Sequence, residues 1–265
     1  MTLSVESVGD GPPLVLLHGW AMHSGLWAPL VKRLADRYRL HLIDLPGHGR
    51  SSPIASYALD AMADAIASTC GPLVDDDQRM DLLGWSLGGA IAMRWAQRYP
   101  DAVAKLILVC TSPCFVRRPD WPHAMEEQTL RRFGDELSTA YTATLQRFVA
   151  LQVQGSDHAR SVLAQLRAHL FDRGQPSREA LQGTLDTLAA SDIRNDAAAI
   201  AHPSLVIAGE RDALVPSPAG AWLAAALPNG RYLPFAHAAH APFLSHPEEF
   251  VAALDDFLWQ ESVGG

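Results

Sequence analysis

Cysteine and basic charge are both scarce in this 265-residue chain. The three cysteines, Cys70, Cys110 and Cys114, show neither a CxxC spacing nor a Cys/His metal pattern, so we expect reduced thiols without disulfides. The 21 basic residues are outnumbered by 29 acidic ones and form no basic run. Because phosphate binding needs clustered lysine and arginine, this balance argues against nucleic acid as a main partner.

Long apolar runs and cofactor motifs are missing as well. The longest early apolar run is Leu14–Leu17, and the first ten residues lack the basic and apolar segments of a signal peptide. We therefore expect a cytoplasmic protein that does not enter a membrane. The sequence has no HExxH motif, P-loop or GxGxxG loop, so we expect neither a metal nor a cofactor.

Short apolar runs alternate with segments of helical periodicity at both ends of the chain. This pattern predicts an α/β fold with a mostly parallel central sheet flanked by helices. The strands are expected at 14–17, 39–44, 80–84, 105–110, 204–208 and 232–235, and the helices between them at 26–37, 59–68, 87–98, 222–227 and 247–259.

The stretch 113–192 differs from the rest of the chain. It shows no strand pattern but has helical stretches near 123–134, 136–153, 157–172 and 177–191. It carries nine arginines and ten acidic residues, a net charge of −1, whereas the remainder has 12 basic and 19 acidic residues, a net charge of −7. We interpret it as a helical cap inserted into a core made of residues 1–112 and 193–265. We expect a monomer.

Ser86 is the predicted nucleophile. It lies in Gly84-Trp85-Ser86-Leu87-Gly88, directly after an apolar strand and at the start of a helix. A Gly-x-Ser-x-Gly sequence in this context forms a sharp turn that exposes the serine hydroxyl. The two N–H groups of the oxyanion hole are then expected from Leu87 and from Trp20, in the His18-Gly19-Trp20 loop after an early strand. These features indicate a serine hydrolase of the α/β-hydrolase fold.

The acid and the base are expected after the last two strands, in the order serine, acid, histidine. Asp212 is the preferred acid, with Glu210 in the same loop as the alternative and a more structural pairing role. His240 is the preferred base over His237, because it precedes Ala241-Pro242-Phe243 and the last helix. Asp212 would orient the His240 imidazole, and His240 would take the proton of Ser86.

The chain resembles the pimeloyl-[acyl-carrier protein] methyl ester esterase family over nearly its whole length. The matching stretches are Leu14–Trp20, Leu40–Gly47, Leu83–Gly89, Ser112–Phe115, Arg147–Gln152 and Ala239–Pro247. The resemblance implies a carboxylesterase of biotin synthesis that removes the methyl group from a pimeloyl chain bound to acyl-carrier protein, through an acyl-enzyme.

The resemblance also implies binding residues. The acyl chain would contact Trp20, Ser86, Leu87, His240 and the cap segment Phe148, Val149, Ala150, Leu151 and Gln152. The acidic carrier protein would dock on the cap arginines Arg147 and Arg160, with Arg167 nearby. Two further positions that are basic in a relative are Ala143 and Ala164 here.

Two alternative functions fit the same motifs. The first is another enzyme of this fold, an enol-lactonase or a carbon–carbon bond hydrolase, because the triad residues are shared by all of them. The second is a ligand receptor that keeps the hydrolase fold without efficient turnover. A complete triad favours the enzyme over the receptor.

Overall fold

The computed structural model describes residues 2–75 and 78–259. Its centre is one seven-stranded sheet with the strand order β1-β3-β2-β4-β5-β6-β7, in which every neighbouring pair is parallel except β1 and β3. The strands are β1 (Val5–Val8), β2 (Pro13–Leu17), β3 (Arg39–Ile43), β4 (Met80–Trp85), β5 (Val103–Val109), β6 (Ser204–Gly209) and β7 (Gly230–Phe235). This architecture confirms the predicted fold class.

Helices connect the strands of the sheet. They are α1 (Ala28–Leu34), α2 (Leu59–Cys70), α3 (Leu87–Arg98), α8 (Ser217–Ala226), α9 (Pro242–Ser245) and α10 (Pro247–Trp259). Residues of β2 and β6 are buried throughout, as expected of strands covered on both faces. No helix in the described ranges is both long and apolar enough to cross a membrane.

Four helices follow one another between β5 and β6. They are α4 (Glu127–Thr139), α5 (Tyr141–Leu151), α6 (Ala159–His169) and α7 (Arg178–Ala190). Each lies within one of the four stretches predicted to be helical, except that α4 begins later and extends to Thr139. An isolated antiparallel bridge joins Cys114 to Asp192, where the chain leaves the sheet and where it returns.

Several predicted boundaries move for local reasons. Strand β5 ends at Val109 rather than at Cys110, because Cys110 has a left-handed φ of +45° that a strand cannot accommodate. Helix α1 begins only at Ala28, because Ser24–Trp27 forms a 3₁₀ turn. Strand β1 was not predicted, and it pairs antiparallel with β3 at the edge of the sheet.

The parallel strands all end at the same edge of the sheet. The loop after β2 carries Trp20, the turn after β4 carries Ser86, the loop after β6 carries Asp212 and the loop after β7 carries His240. Ligands and catalytic groups of open α/β sheets collect at this carboxyl edge. The fold therefore brings together residues that are far apart in sequence.

Candidate active site

Ser86 occupies a strained turn between β4 and α3. Its φ is +56° and its ψ is −117°, a conformation that residues with a Cβ rarely adopt. A Cβ at Gly84 would lie 2.4 Å from the Gly88 carbonyl oxygen, and one at Gly88 would lie 2.3 Å from the Leu17 carbonyl oxygen. The flanking glycines are therefore required by the tight approach of the turn to its own helix and to β2.

Asp212 and His240 form a buried hydrogen-bonded pair. The His240 Nδ1 and Asp212 Oδ2 atoms are 2.6 Å apart, and the two side chains are 2% and 0% exposed. The other carboxylate oxygen, Oδ1, accepts hydrogen bonds from the Leu214 and Val215 N–H groups at 2.8 and 3.0 Å. Both oxygens of Asp212 are thus held in place, and Nδ1 of His240 is the nitrogen that faces the acid.

The histidine loop lies against the nucleophile turn. Trp85, the residue before Ser86, donates its indole N–H to the His240 carbonyl oxygen at 2.7 Å. Its ring centroid is 5.4 Å from that of His240. Within the described ranges the Ser86 hydroxyl makes no hydrogen bond. Since Nδ1 faces Asp212, Nε2 is the His240 nitrogen that remains for the Ser86 proton.

The two segments expected to supply the oxyanion N–H groups both adjoin Ser86. Leu87 is the first residue of α3, and N–H groups in the first turn of a helix have no intrahelical acceptor. On the other side, a Cβ at Gly19 would lie 3.2 Å from the Ser86 Cβ, so the Gly19–Trp20 loop runs directly beside the nucleophile. The Trp20 side chain is held separately, because its indole N–H donates to the Leu181 carbonyl oxygen of α7 at 3.0 Å.

His18 is bonded to this loop and to the residues after β3. Its Nδ1 contacts the Gly19 carbonyl oxygen at 2.8 Å, and its Nε2 accepts the Leu45 N–H at 2.9 Å. Burial lowers the pKa of His18 to about 3, and burial likewise lowers that of neighbouring His48 to about 4. Both imidazoles are therefore neutral at neutral pH, and His18 connects the Gly19–Trp20 loop to the Leu45 backbone.

A narrow apolar cavity adjoins Ser86. The sheet edge contributes Trp20, Ser86 and the residues after Asp212, and the cap contributes apolar side chains from α4, α5 and α7. The lining residues are Trp20, Ser86, Phe115, Met125, Leu130, Phe148, Leu185, Leu188, Leu214 and Val215. Phe148 packs edge-to-face on Trp20, with ring centroids 4.6 Å apart. The cavity is therefore an apolar slot that opens beside the Ser86 side chain.

One group in the described ranges has three side chains that could ligate a metal. Ligand atoms of Cys110, Asp212 and His240 all lie within 4.8 Å of one another, and all three residues are buried. Asp212 and His240 are already bonded to each other. The three cysteines are free and buried.

Comparison with known proteins gives the family. The model of the alpha/beta hydrolase fold family matches residues 12–247. Pimeloyl-[acyl-carrier protein] methyl ester esterases from Nitrosomonas europaea and Chromobacterium violaceum are 46% and 44% identical, over 96% and 97% of this chain and 98% of each relative. The chain belongs to this esterase family.

Solved structures agree on the fold of the family. An esterase from Exiguobacterium antarcticum has a TM-score of 0.87 at 24% identity, covering 97% of this chain and 95% of that one. An enol-lactonase from Burkholderia xenovorans has a TM-score of 0.84 at 23% identity, covering 97% and 96%. Because an esterase and a lactonase match equally well, these structures show the α/β-hydrolase fold alone.

Only some of the residues that the family resemblance suggests for binding the acyl chain line the cavity. Trp20, Ser86 and Phe148 line the cavity. Val149 is buried, whereas Leu151 lines a groove on the outer side of Phe133 with Arg147. Gln152 is buried too, and its carbonyl oxygen accepts the His240 N–H at 3.0 Å. The structure does not place Leu87, Ala150 or His240 in the cavity wall.

The arginines suggested for docking also differ from one another. Arg147 forms an ion pair with Glu136 and lies over the Phe133 ring. Arg160 and Arg167 are exposed on α6 and have no ion-pair or hydrogen-bond partner among the described residues. Two arginines of the cap therefore keep an uncompensated charge, whereas Arg147 does not.

Glu210 and His237, the alternative acid and base, do not belong to the Asp212–His240 pair. His237 is exposed and contacts Arg211 and Asp157. Glu210 is exposed, and its carboxylate has no ion-pair or hydrogen-bond partner in the described part of the chain, so the pairing role expected for it is wrong. Of the two acids in this loop, Asp212 is buried and paired with His240, whereas Glu210 is exposed.

Most of the residues that line the cavity were not predicted from the sequence. Phe115 lies in the Ser-Pro-Cys-Phe stretch, and Leu214 and Val215 directly follow Asp212, so their positions beside known motifs could have pointed to them. The cap leucines carried no such signal, since an apolar helix face that lines a cavity reads like one that packs on a core.

Proposed function

We propose that this chain is a carboxylesterase that hydrolyses the methyl ester of a pimeloyl chain carried by acyl-carrier protein. The proposal is supported most by one observation, the buried Asp212–His240 pair beside a strained Ser86 under an apolar cavity. The names of relatives at 44–46% identity give the substrate.

The proposed reaction passes through an acyl-enzyme. His240 Nε2 takes the Ser86 proton as Oγ attacks the ester carbonyl, and Asp212 stabilises the imidazolium that forms. The N–H groups of Leu87 and Trp20 hold the oxyanion, which is worth about 3 kcal/mol for each donor. His240 then protonates the departing methanol. Water, activated by His240, releases the free carboxylate and restores Ser86.

The cavity suits the proposed acyl chain. Apart from the Ser86 hydroxyl and the Trp20 indole, its wall is aliphatic, phenyl or thioether, so methylene groups bind there without losing hydrogen bonds to water. A charged ω-carboxylate would be disfavoured in the same wall. We therefore propose that the cavity accepts the neutral methyl ester and disfavours the carboxylate product.

The α6 arginines are the proposed docking site for the carrier protein. Arg160 and Arg167 are seven residues apart, two helical turns, and so lie on the same face of α6. Their charges are not neutralised by nearby carboxylates, which favours an acidic partner. Arg147 contributes less in this proposal, because Glu136 already pairs with it.

The division into core and cap stays a proposal with the boundaries 1–112, 113–192 and 193–265. The Cys114–Asp192 bridge supports it, since both crossings between the two parts lie side by side there. We also propose a cytoplasmic location, which the three unpaired cysteines support.

The reaction is tested first with a small ester. Purified Ser86→Ala protein should lose hydrolysis of p-nitrophenyl butyrate while its circular dichroism and melting temperature match the wild type. Retention of the wild-type rate would contradict the serine mechanism.

The substrate is tested by growth. Expression of the chain should restore growth of a biotin-requiring strain that lacks its own pimeloyl methyl ester esterase, and Ser86→Ala should not. Failure of a well-expressed wild type, together with efficient turnover of an enol-lactone in vitro, would move the assignment to a lactonase.

Docking is tested with a matched pair of variants. Arg160→Ala/Arg167→Ala should raise KM for carrier-bound substrate by roughly tenfold at low salt and leave p-nitrophenyl butyrate unaffected. Arg131→Ala is the control, because Arg131 is exposed on α4 but already paired with Glu127. An equal effect of both changes would contradict a specific role for α6.

A further inference from the structure

Cys110 and Thr111 follow the central strand β5 at the carboxyl edge of the sheet. Strand β5 lies between β4, which leads to Ser86, and β6, which leads to Asp212. Cys110 has a φ of +45°, a left-handed conformation that is unfavourable for a residue with a Cβ. Both residues are 1% exposed. At this position in the sheet, the buried Cys110 and Thr111 are within contact range of more than one of the loops that carry the proposed catalytic residues.

Thr111 is bonded to the nucleophile turn. Its hydroxyl donates to the Ser86 carbonyl oxygen at 2.7 Å, and the Ser86 N–H donates to the Val109 carbonyl oxygen at 2.9 Å. A Cβ at Gly89 would lie 2.6 Å from the Thr111 Cβ, so the first turn of α3 packs directly on this side chain. The end of β5 therefore holds Ser86 on both sides of its strained backbone.

Cys110 contacts the acid and base loops. Its N–H donates to the Ile207 carbonyl oxygen of β6 at 2.8 Å, and its S–H donates to the carbonyl oxygen of Ala239, the residue before His240, at 3.8 Å. The same sulfur lies within 4.8 Å of the ligating atoms of Asp212 and His240. Burial raises the pKa of the Cys110 thiol well above its usual range, so the group remains an S–H donor.

We propose that Cys110 and Thr111 are positioning residues of the esterase: Thr111 fixes the Ser86 turn, and the Cys110 thiol polarises the Asp212–His240 pair from behind. The inference rests on the proposed function, in which those three residues carry the reaction. In this proposal the thiol proton is shared between the Ala239 carbonyl oxygen and the nearby Asp212 carboxylate. It withdraws negative charge from the carboxylate and so weakens the attraction of Asp212 for the protonated His240.

The two side chains have different expected effects. The Ser86 carbonyl oxygen also accepts the Gly89 and Ala90 N–H groups, so loss of the Thr111 hydroxyl removes one of three hydrogen bonds to it. The nucleophile is then held less firmly in its turn, so kcat should fall while KM stays the same. Loss of the Cys110 thiol leaves Asp212 with more negative charge, so His240 should bind its proton more tightly. The acid limb of the pH profile of kcat/KM should then move to higher pH. The ionisable groups that face His240 on this side are Asp212 and Cys110.

The experiment uses two pairs of variants and p-nitrophenyl butyrate. Thr111→Val removes the hydroxyl at nearly constant shape and should lower kcat about fivefold, which corresponds to the loss of one net hydrogen bond. Thr111→Ser keeps a hydroxyl and should have the kcat of the wild type. Cys110→Ala should move the acid limb of the pH profile of kcat/KM to higher pH. Cys110→Ser keeps a hydrogen-bond donor, so its acid limb should lie at the pH of the wild type. Cys70→Ala is the control, because Cys70 is another buried thiol that lies at the end of α2.

The outcomes separate this inference from the proposed function. Activity in the wild type that Ser86→Ala abolishes supports the triad whatever these variants do. A Thr111→Val enzyme within twofold of the wild-type kcat would overturn the role of Thr111. An acid limb that stays in place in Cys110→Ala, or that moves equally in Cys70→Ala, would overturn the role of Cys110. Melting temperatures of all variants exclude loss of folded protein as the cause.

Discussion

Replacing Asp212 with asparagine removes the charge of the proposed acid and keeps its shape. The amide oxygen can still accept the N–H groups of Leu214 and Val215, which Oδ1 now binds at 2.8 and 3.0 Å. The amide NH₂ would then face His240 Nδ1 and donate to it. This forces the imidazole into the tautomer with a proton on Nε2, the nitrogen that must accept the proton of Ser86.

The size of the loss follows from the burial of the pair. Two unit charges roughly 4 Å apart attract by about 4 kcal/mol at an effective dielectric constant of 20, which corresponds to a factor of about 10³ in rate. The wrong tautomer adds to this, and the same replacement in serine proteases lowers kcat by about 10⁴-fold. We expect Asp212→Asn to lower kcat by about 10⁴-fold with little change in melting temperature.

The assay is steady-state hydrolysis of p-nitrophenyl butyrate, with Glu210→Gln as the matched control. Glu210 lies two residues away in the same loop, is exposed and has no partner among the described residues. Its replacement should leave kcat unchanged. An Asp212→Asn enzyme with more than a tenth of the wild-type kcat, beside an inactive Glu210→Gln enzyme, would refute the assignment of the acid.

Three further outcomes are expected. Gly19→Ala places a methyl group 3.2 Å from the Ser86 Cβ and should lower kcat by about 10²-fold through displacement of an oxyanion donor, whereas Gly71→Ala, with open space around it, should not. The pKa of His48 is lowered by burial to about 4, so below pH 6.5 only the unfolded chain takes up its proton and stability falls as the pH falls. Relative to His48→Asn, the wild-type free energy of unfolding in urea should drop by about 2 kcal/mol between pH 6.5 and 5. Leu185→Phe enlarges a side chain of the cavity wall and so narrows the cavity. It should reduce kcat/KM for p-nitrophenyl octanoate at least tenfold more than kcat/KM for p-nitrophenyl acetate.

The positions of the proposed catalytic residues could be predicted because each carries a local signal. Ser86 is marked by glycines that the turn requires, and Asp212 and His240 each follow a strand of a parallel sheet. In such a sheet the position after a strand is also a position in space, so chain order alone brings the three together. Strand β1 had no comparable signal. It is short, half exposed, and recognisable only through its pairing with β3.

The helices of the cap could be predicted from the sequence, but the cap side chains that line the cavity could not. Which leucines of α4 and α7 face Ser86 depends on how the helices pack on the core, and their apolar periodicity is the same in either case. The charge of Arg147 raises the same difficulty. Its partner Glu136 lies on the preceding helix, so the ion pair depends on how α4 packs against α5 rather than on sequence spacing.

The cap is bonded to both catalytic loops rather than only lying over them. The Trp20 side chain, next to the oxyanion loop, donates to the Leu181 carbonyl oxygen of α7, and the His240 N–H donates to the Gln152 carbonyl oxygen after α5. His23, four residues after Gly19 in the chain, contacts Asp172 at 2.6 Å. Helix α7 and the end of α5, which contribute to the cavity wall, are therefore also bonded to the loops of Trp20 and His240. In the proposed reaction, an acyl chain bound in the cavity would lie against the same segments that position these two loops.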